Sequence, residues 1–279
     1  TPAPTPAPAA AQPPQMQPDE DEDFSGLLAC FLDVGQGDCL FFIGPDGKTL
    51  LIDAGPPGSF ETIRAHFDAW GVERLDVMIA THLHEDHIGG MAEILAHYET
   101  GAFYMPPYDY ESSAYAALLA ALEEADVEPR TLYADASTFI DWSAGTELRV
   151  LSPFQAPYTD YNDTSFILRL SYGDTALLLT GDAGELAERF MIKAFHNQLL
   201  RADILKVGHH GSDSATSEKL LSAVQPSIAV VSVGADNGYG LPDEAVLARL
   251  EARGVAVYRT DRSGSLCFAL DGTRVRMIE

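Results

Sequence analysis

Three histidines, an aspartate and a glutamate crowd one hexad, His82-Leu83-His84-Glu85-Asp86-His87. Imidazole and carboxylate are the groups that bind zinc, iron and manganese at neutral pH. Histidine is a poor choice for a merely solubilising stretch, so the spacing points to a metal site. The hexad follows an apolar run, Val77-Met78-Ile79-Ala80, that reads as a buried strand. It precedes Gly89-Gly90 and a helical pattern over 91–97. On such a strand-to-helix turn, side chains of neighbouring residues can converge on one point. One hexad cannot complete two metal shells, and two further strand ends carry ligand-type residues. Asp182 closes Leu178-Leu179-Thr180-Gly181, and His209-His210 follow Ile204-Leu205-Lys206-Val207-Gly208. In open sheets, ligands gather at the carboxyl ends of strands.

The elements that must position these residues alternate through the chain. Apolar runs predict strands over 27–32, 39–43 and 49–52 around the turn Gly35-Gln36-Gly37-Asp38. A helix over 59–70 follows, with Ser59 as N-cap and Gly71 as stop. An alanine- and leucine-rich helix covers 114–125. Between the two lies an aromatic stretch, 104–110, read as a loop that either packs on the core or offers a base-stacking lip. Strands at 148–151, 166–170, 176–179, 204–207, 228–233 and 255–258 form a second half, with helices over 185–195 and 242–253. A hairpin over 266–270 and 273–278 closes the chain. Two strand-rich halves with helices outside imply an α/β fold, a four-layer αββα sandwich.

The chain has 279 residues and a net charge of −25. Residues 1–150 hold 5 Lys+Arg against 26 Asp+Glu, a net of −21, and residues 151–279 hold 12 against 16, a net of −4. Such a surface repels nucleic acid at long range, and a bound metal pair would reverse the field locally. Residues 1–23 are Thr/Pro/Ala repeats followed by Asp19 to Asp23, a composition that predicts a disordered linker, either an envelope tether or a plain spacer. The folded domain is then 24–279. Cys30, Cys39 and Cys267 sit in apolar runs and read as free, buried hydrophobes; a Cys30–Cys39 disulfide is not implied. No apolar run reaches the ~18 residues of a membrane span, so the chain is not expected to be a membrane channel by itself. It begins at Thr1, which suggests a processed or trimmed chain.

The pattern His-x-His-x-Asp-His, then Gly181-Asp182 after a strand, then a late histidine, resembles the metallo-β-lactamase superfamily. A narrower resemblance lies in Asp33-Val34-Gly35-Gln36-Gly37-Asp38, Leu51-Ile52-Asp53-Ala54-Gly55, 206–212 and Tyr258-Arg259-Thr260-Asp261. These are similar to the hydrolase domain of ComEC-type DNA-uptake proteins and their free-standing secreted relatives, from about residue 27 onward. The resemblance implies a metallo-β-lactamase fold and two divalent ions, Zn²⁺ or Mn²⁺. His82 and His84 would bind the first ion, Asp86 and His87 the second, and Asp182 would bridge them. His210 would complete the second ion, with His209 as proton donor or phosphate contact, or the two in reverse. Asp53 would support a ligating histidine, while Asp38 is open between a turn and a site role.

Two departures from that family pattern are visible. The first ion lacks the usual histidine about twenty residues before Asp182; Asn162, Asp163 or water would take its place. An oxygen donor there lets manganese compete with zinc. Leu241 stands where relatives often carry histidine. Lys206, Ser212 and Arg262 are phosphate contacts or plain surface residues, and Asn237 and Tyr239 touch substrate or form a turn. The reaction expected is hydrolysis of a phosphodiester through a hydroxide held between two ions, with DNA as substrate and Asp86, His209 and Lys206 in the catalytic machinery. The setting would be the bacterial cell envelope or exterior. The alternatives are a cell-surface phosphocholine esterase, or another small phosphodiesterase, and a catalytically weak domain that binds DNA or a polymer.

Overall fold

In the computed structural model, which describes residues 26–278, apolar alternation along the strands sets the layers. The linker expected over 1–23 lies outside the described residues. β1 (Leu27–Phe31), β2 (Leu40–Ile43) and β3 (Thr49–Ile52) form an antiparallel meander. β4 (Arg74–Ile79), β5 (Glu99–Met105) and β6 (Pro129–Thr131) then add in parallel. Parallel neighbours need crossovers, here α1 (Phe60–Trp70), α2 (Glu85–Ile88) with α3 (Met91–His97), and α4 (Ser113–Glu124).

The second sheet repeats this plan. β7 (Phe139–Ile140), β8 (Thr146–Ser152), β9 (Ile167–Tyr172) and β10 (Thr175–Leu179) are antiparallel. β11 (Ile204–Lys206), β12 (Ile228–Val231) and β13 (Ala256–Arg259) follow in parallel. Their crossovers are α5 (Glu185–Ala194) with α6 (Asn197–Leu200), then α7 (Glu218–Val224), then α8 (Glu244–Glu251). After α9 (Thr260–Ser263), β14 (Leu266–Leu270) and β15 (Val275–Ile278) return to the first sheet, where β14 pairs with β1.

The period-two pattern of β1 divides two cores. Leu27, Ala29 and Phe31 pack with Leu148, Leu168 and Leu177 of the second sheet. Leu28 and Cys30 turn to the other face, towards Phe67, Ile94 and Leu118 of α1, α3 and α4. Met191, Leu221 and Leu250 of α5, α7 and α8 belong to the same core as the second sheet. Each fully buried Leu or Phe contributes roughly 1.5–3 kcal/mol. The result is the expected αββα arrangement, helices outside two mixed sheets.

Several local expectations change. The stretch 104–110 is not all loop, because Tyr104 and Met105 finish β5 and are buried. Ser59 precedes α1 but makes no side-chain cap bond, whereas Gly71 ends that helix at a left-handed φ of 65°. The cysteines are not all free. Cys30 and Cys267 are register partners on β1 and β14 and form a disulfide, leaving Cys39 as a buried thiol. Their separation of 237 residues hid the pairing from the sequence.

Thiol counting under denaturing, non-reducing conditions should therefore give a single thiol, Cys39; three would overturn the pairing. Replacing Cys30 and Cys267 by alanine should lower stability by about 2–4 kcal/mol, read from urea unfolding.

Candidate metal centre

The centre forms where strands from both sheets end side by side. β4 runs into Thr81 and His82, and α2 follows with Asp86 and His87. β10 runs into Asp182, and β11 into His209 and His210. Close backbone approach holds these segments together. Asp38 N donates to Asp86 O at 3.2 Å, and a Cβ at Gly37 would lie 2.2 Å from that oxygen. Glycine is the residue that fits. Asp53, His209 and His210 adopt left-handed φ of 58°, 48° and 52°. Such backbone costs ~1–2 kcal/mol per non-glycine residue and is characteristically found at functional sites.

Asp86, His87, Asp182 and His210 offer ligand atoms that lie within 4.8 Å of one another. His87 Nε2 is 3.3 Å from Asp182 Oδ2, and His210 Nε2 is 3.3 Å from Asp86 Oδ2 and 3.5 Å from Asp182 Oδ2. Both Nε2 atoms and Asp182 Oδ1 are buried with no hydrogen-bond partner. Buried polar atoms are normally satisfied, and a cation among them would satisfy all three. This donor set, two imidazoles and two carboxylates, fits a divalent metal ion.

A second group adjoins it. His82 Nε2 lies 3.0 Å from His84 Nδ1 and 3.9 Å from Asp182 Oδ2. Asn162 lines the same cavity, and its Oδ1 is buried without a partner. Asp182 Oδ2 thus approaches histidines of both groups, at 3.3 and 3.5 Å in one and 3.9 Å in the other. Asp163 does not join them. Its Oδ1 accepts from the Gly184 and Ala187 amides and secures the start of α5.

The imidazoles are oriented from behind. Asp53 Oδ2 is 2.8 Å from His87 Nδ1, while Thr81 N and Oγ1 donate to the same carboxylate. His210 Nδ1 faces the Ser232 carbonyl at 3.0 Å. In both histidines Nδ1 is engaged and Nε2 faces the cluster. Burial opposes charge on His87, yet the carboxylates of Asp182 and Asp53 outweigh it and hold its pKa well above the imidazole range. His210 is raised in the same way, against burial, by Asp182, Asp38 and Asp86. Burial and the neighbouring His87 push His82 well below that range.

The cavity over the centre is about 570 Å³ and includes Gln36, His84, Asp86, Asn162, His209 and Tyr239 in its lining. His209 is 30% exposed, with Nδ1 3.1 Å from Ser214 Oγ and Nε2 3.8 Å from Asp182 Oδ2. Lys206 departs from expectation. Its side chain is buried and its Nζ lies 2.9 Å from Asp38 Oδ2, so it cannot reach a substrate. Asp38 is accordingly part of the buried centre and not a simple turn residue. Ser212 Oγ pairs with Ser214 Oγ, and Arg262 lines a different hollow with Arg259 and Leu247. Asn237 binds the Gly234 and Leu241 carbonyls and braces its own turn, which leaves Tyr239, 77% exposed, at the cavity mouth. Leu241 lines the cavity. Tyr110, at the end of the aromatic stretch expected either to pack on the core or to form a lip, and Tyr161, which had no expected role, flank His84 at 5.1 and 5.3 Å. The sequence reading passed over Glu85 and Glu111 as cavity residues. Only the adjacency of Tyr161 to Asn162 and of Glu85 to the histidines hinted at them.

A family model described as Metallo-beta-lactamase superfamily matches residues 32–235. The chain is 30% identical over 253 residues to ComE operon protein 3 of Bacillus subtilis (strain 168), covering 84% of this chain and 32% of that protein. It is 33% identical over 239 residues to Competence protein ComA of Neisseria gonorrhoeae, covering 85% and 31% respectively. It therefore spans about a third of the length of these competence relatives. Among solved structures, the metallo-beta-lactamase fold protein YhfI from Bacillus subtilis superposes with a TM-score of 0.55 at 10% identity, over 88% of this chain and 100% of that one.

Because the surrounding carboxylates raise the pKa values of His87 and His210, a cation must compete with protons to bind. Zn²⁺ titrations in weak buffer should release protons, and affinity should rise between pH 6 and pH 8. Affinity that is flat or falling with pH would remove these imidazoles from the ligand set. Asp53→Ala should weaken binding about 10–100-fold by removing the acceptor that holds His87 Nδ1.

Proposed function

The chain belongs to the metallo-beta-lactamase superfamily, and on that premise we propose that it is a metal-dependent phosphodiester hydrolase acting on DNA. The observation that carries the reading is the set of buried, unpartnered donor atoms on His87, His210 and Asp182. On this reading one ion would be held by His82, His84 and Asn162 and the other by Asp86, His87 and His210, with Asp182 common to both; the second set is supported by ligand atoms that, with Asp182, lie within 4.8 Å of one another. Ions placed there supply Lewis acidity to phosphoryl oxygens and acidify water, the chemistry a phosphodiester needs. Asn162 adds an oxygen donor, so Mn²⁺ competes with Zn²⁺. His209, partly exposed and braced by Ser214, is placed to hand a proton to a departing oxygen. The names of the competence relatives favour DNA as the substrate. The Cys30–Cys267 disulfide favours an oxidising compartment, the envelope or beyond, with residues 1–23 as a tether. Among the described residues, no helix is long and apolar enough to cross a membrane.

A second reading has its own observation. Among the described residues no Lys or Arg lines the cavity, whereas Glu85, Glu111, Tyr110 and Tyr239 do. Carboxylates and aromatic faces suit a cationic headgroup such as phosphocholine better than a polyanion.

Metal-stripped protein would be titrated with Mn²⁺ and Zn²⁺ against fluorescent DNA, bis-p-nitrophenyl phosphate and a phosphocholine ester. DNA cleavage that Asp182→Ala lacks is the expected result; cleavage surviving in that variant would mark a contaminant. Turnover of the choline ester with DNA intact would move the assignment to the second reading. If DNA is the substrate, Glu85→Gln with Glu111→Gln should raise kcat/KM on DNA several-fold at low salt, and the gain should shrink at high salt.

A further inference from the structure

Lys206 has no counterpart elsewhere in the centre. Four carboxylates, Asp38, Asp53, Asp86 and Asp182, belong to the two adjoining groups that could hold a metal ion. Among the described residues, Lys206 is the one lysine or arginine ion-paired with any of them. Its side chain is 1% exposed, and its Nζ touches only Asp38 Oδ2 and the Val207 carbonyl, each at 2.9 Å. Lysine is almost never fully buried without a partner, so this placement has a specific cause. The other oxygen of the same carboxylate, Asp38 Oδ1, lies 3.4 Å from His210 Nδ1. Lys206, Asp38 and His210 therefore form a buried chain that ends at the Nε2 edge facing Asp86 and Asp182.

We propose that Lys206 is a positioning residue: it anchors Asp38 beneath His210 so that His210 presents Nε2, and not Nδ1, to the metal centre. The reason lies in the backbone. His210 sits at a left-handed φ of 52°, just after His209 at 48°, so nothing in a regular element fixes its ring. A ring turned by 180° would put Cδ2 and Cε1 where Nδ1 and Nε2 now lie, leaving a carbon facing the centre. The Ser232 carbonyl accepts from Nδ1 at 3.0 Å, and the Asp38 carboxylate, with Oδ1 3.4 Å away, favours the proton on that nitrogen. A free Asp38 carboxylate would turn towards the cations and compete with the ligands. The ammonium holds it back. His87 is fixed by Asp53 and Thr81 instead, so the two imidazoles that share Asp182 are oriented by independent supports.

The inference rests on the metal-centre reading and is tested separately from it. Lys206→Met alone strands a buried carboxylate and is expected to unfold the chain, so paired variants are needed. Asp38→Leu with Lys206→Met removes both charges and the acceptor. Asp38→Asn with Lys206→Met removes both charges but keeps an acceptor for His210. Circular dichroism and thermal unfolding would select folded protein. Chelator competition would give Zn²⁺ affinity, and ¹⁵N-histidine spectra of the Zn²⁺-loaded protein would report which His210 nitrogen carries the proton. The leucine pair should bind Zn²⁺ about 10–100-fold more weakly, with mixed protonation of His210; the asparagine pair should stay within a few-fold of wild type. Wild-type affinity in both pairs, or equal loss in both with His210 unchanged, would overturn the positioning role while leaving the metal centre standing. Wild-type protein that binds no Zn²⁺ would overturn both.

Discussion

Like charges held beneath the surface constrain the rest of this molecule. Asp182 meets the imidazoles of His87 and His210, with Asp86 beside them and Asp53 behind. A buried carboxylate is costly unless a positive partner lies within contact. The imidazoles supply that partner when they carry protons, and a metal ion would supply it better. Burial of Asp182 would raise its pKa, but His210 and His87 hold it well below the carboxylate range. Strand ends from two sheets must stop within a few ångströms of each other for this to work. The left-handed residues and the close approach at Gly37 are what that requirement costs.

The parts legible in the sequence were those written locally. A strand followed by the hexad, or by Asp182, leaves its mark in consecutive residues. The two-sheet architecture followed from the run of apolar segments. Elements with mixed composition were harder to read. β5, Glu-Thr-Gly-Ala-Phe-Tyr-Met, has a glycine at its third position and apolar weight only at its end, so its first five residues drew no assignment and its last two passed for loop. The short α7 was also passed over. Lys206 looked like a phosphate contact because charge in a sequence suggests solvent; its partner Asp38 lies 168 positions earlier, across the sheet boundary. The Cys30–Cys267 pair was invisible for the same reason.

The cavity sets a tension between family and surface. Relatives of this chain carry competence names, yet among the described residues its cavity lining holds acidic side chains and histidines but no lysine or arginine. Affinity for a polyanion would then have to come from cations in the centre itself, since counterion release normally rests on lysine and arginine. A substrate strand would approach against the field of the first half of the chain and be attracted only over the last few ångströms. Tyr110 and Tyr239 offer faces on which a base or a methylated ammonium could rest, and Leu241 adds an apolar wall.

The disulfide between β1 and β14 has a mechanical meaning. Every candidate ligand and support, from Asp38 to His210, lies between Cys30 and Cys267. A pull exerted on the chain from both sides of the domain would enter at one cysteine and leave at the other. The covalent link would carry the load and the loop between would feel none of it. A domain attached at both ends to moving neighbours would thus keep its centre isolated from tension.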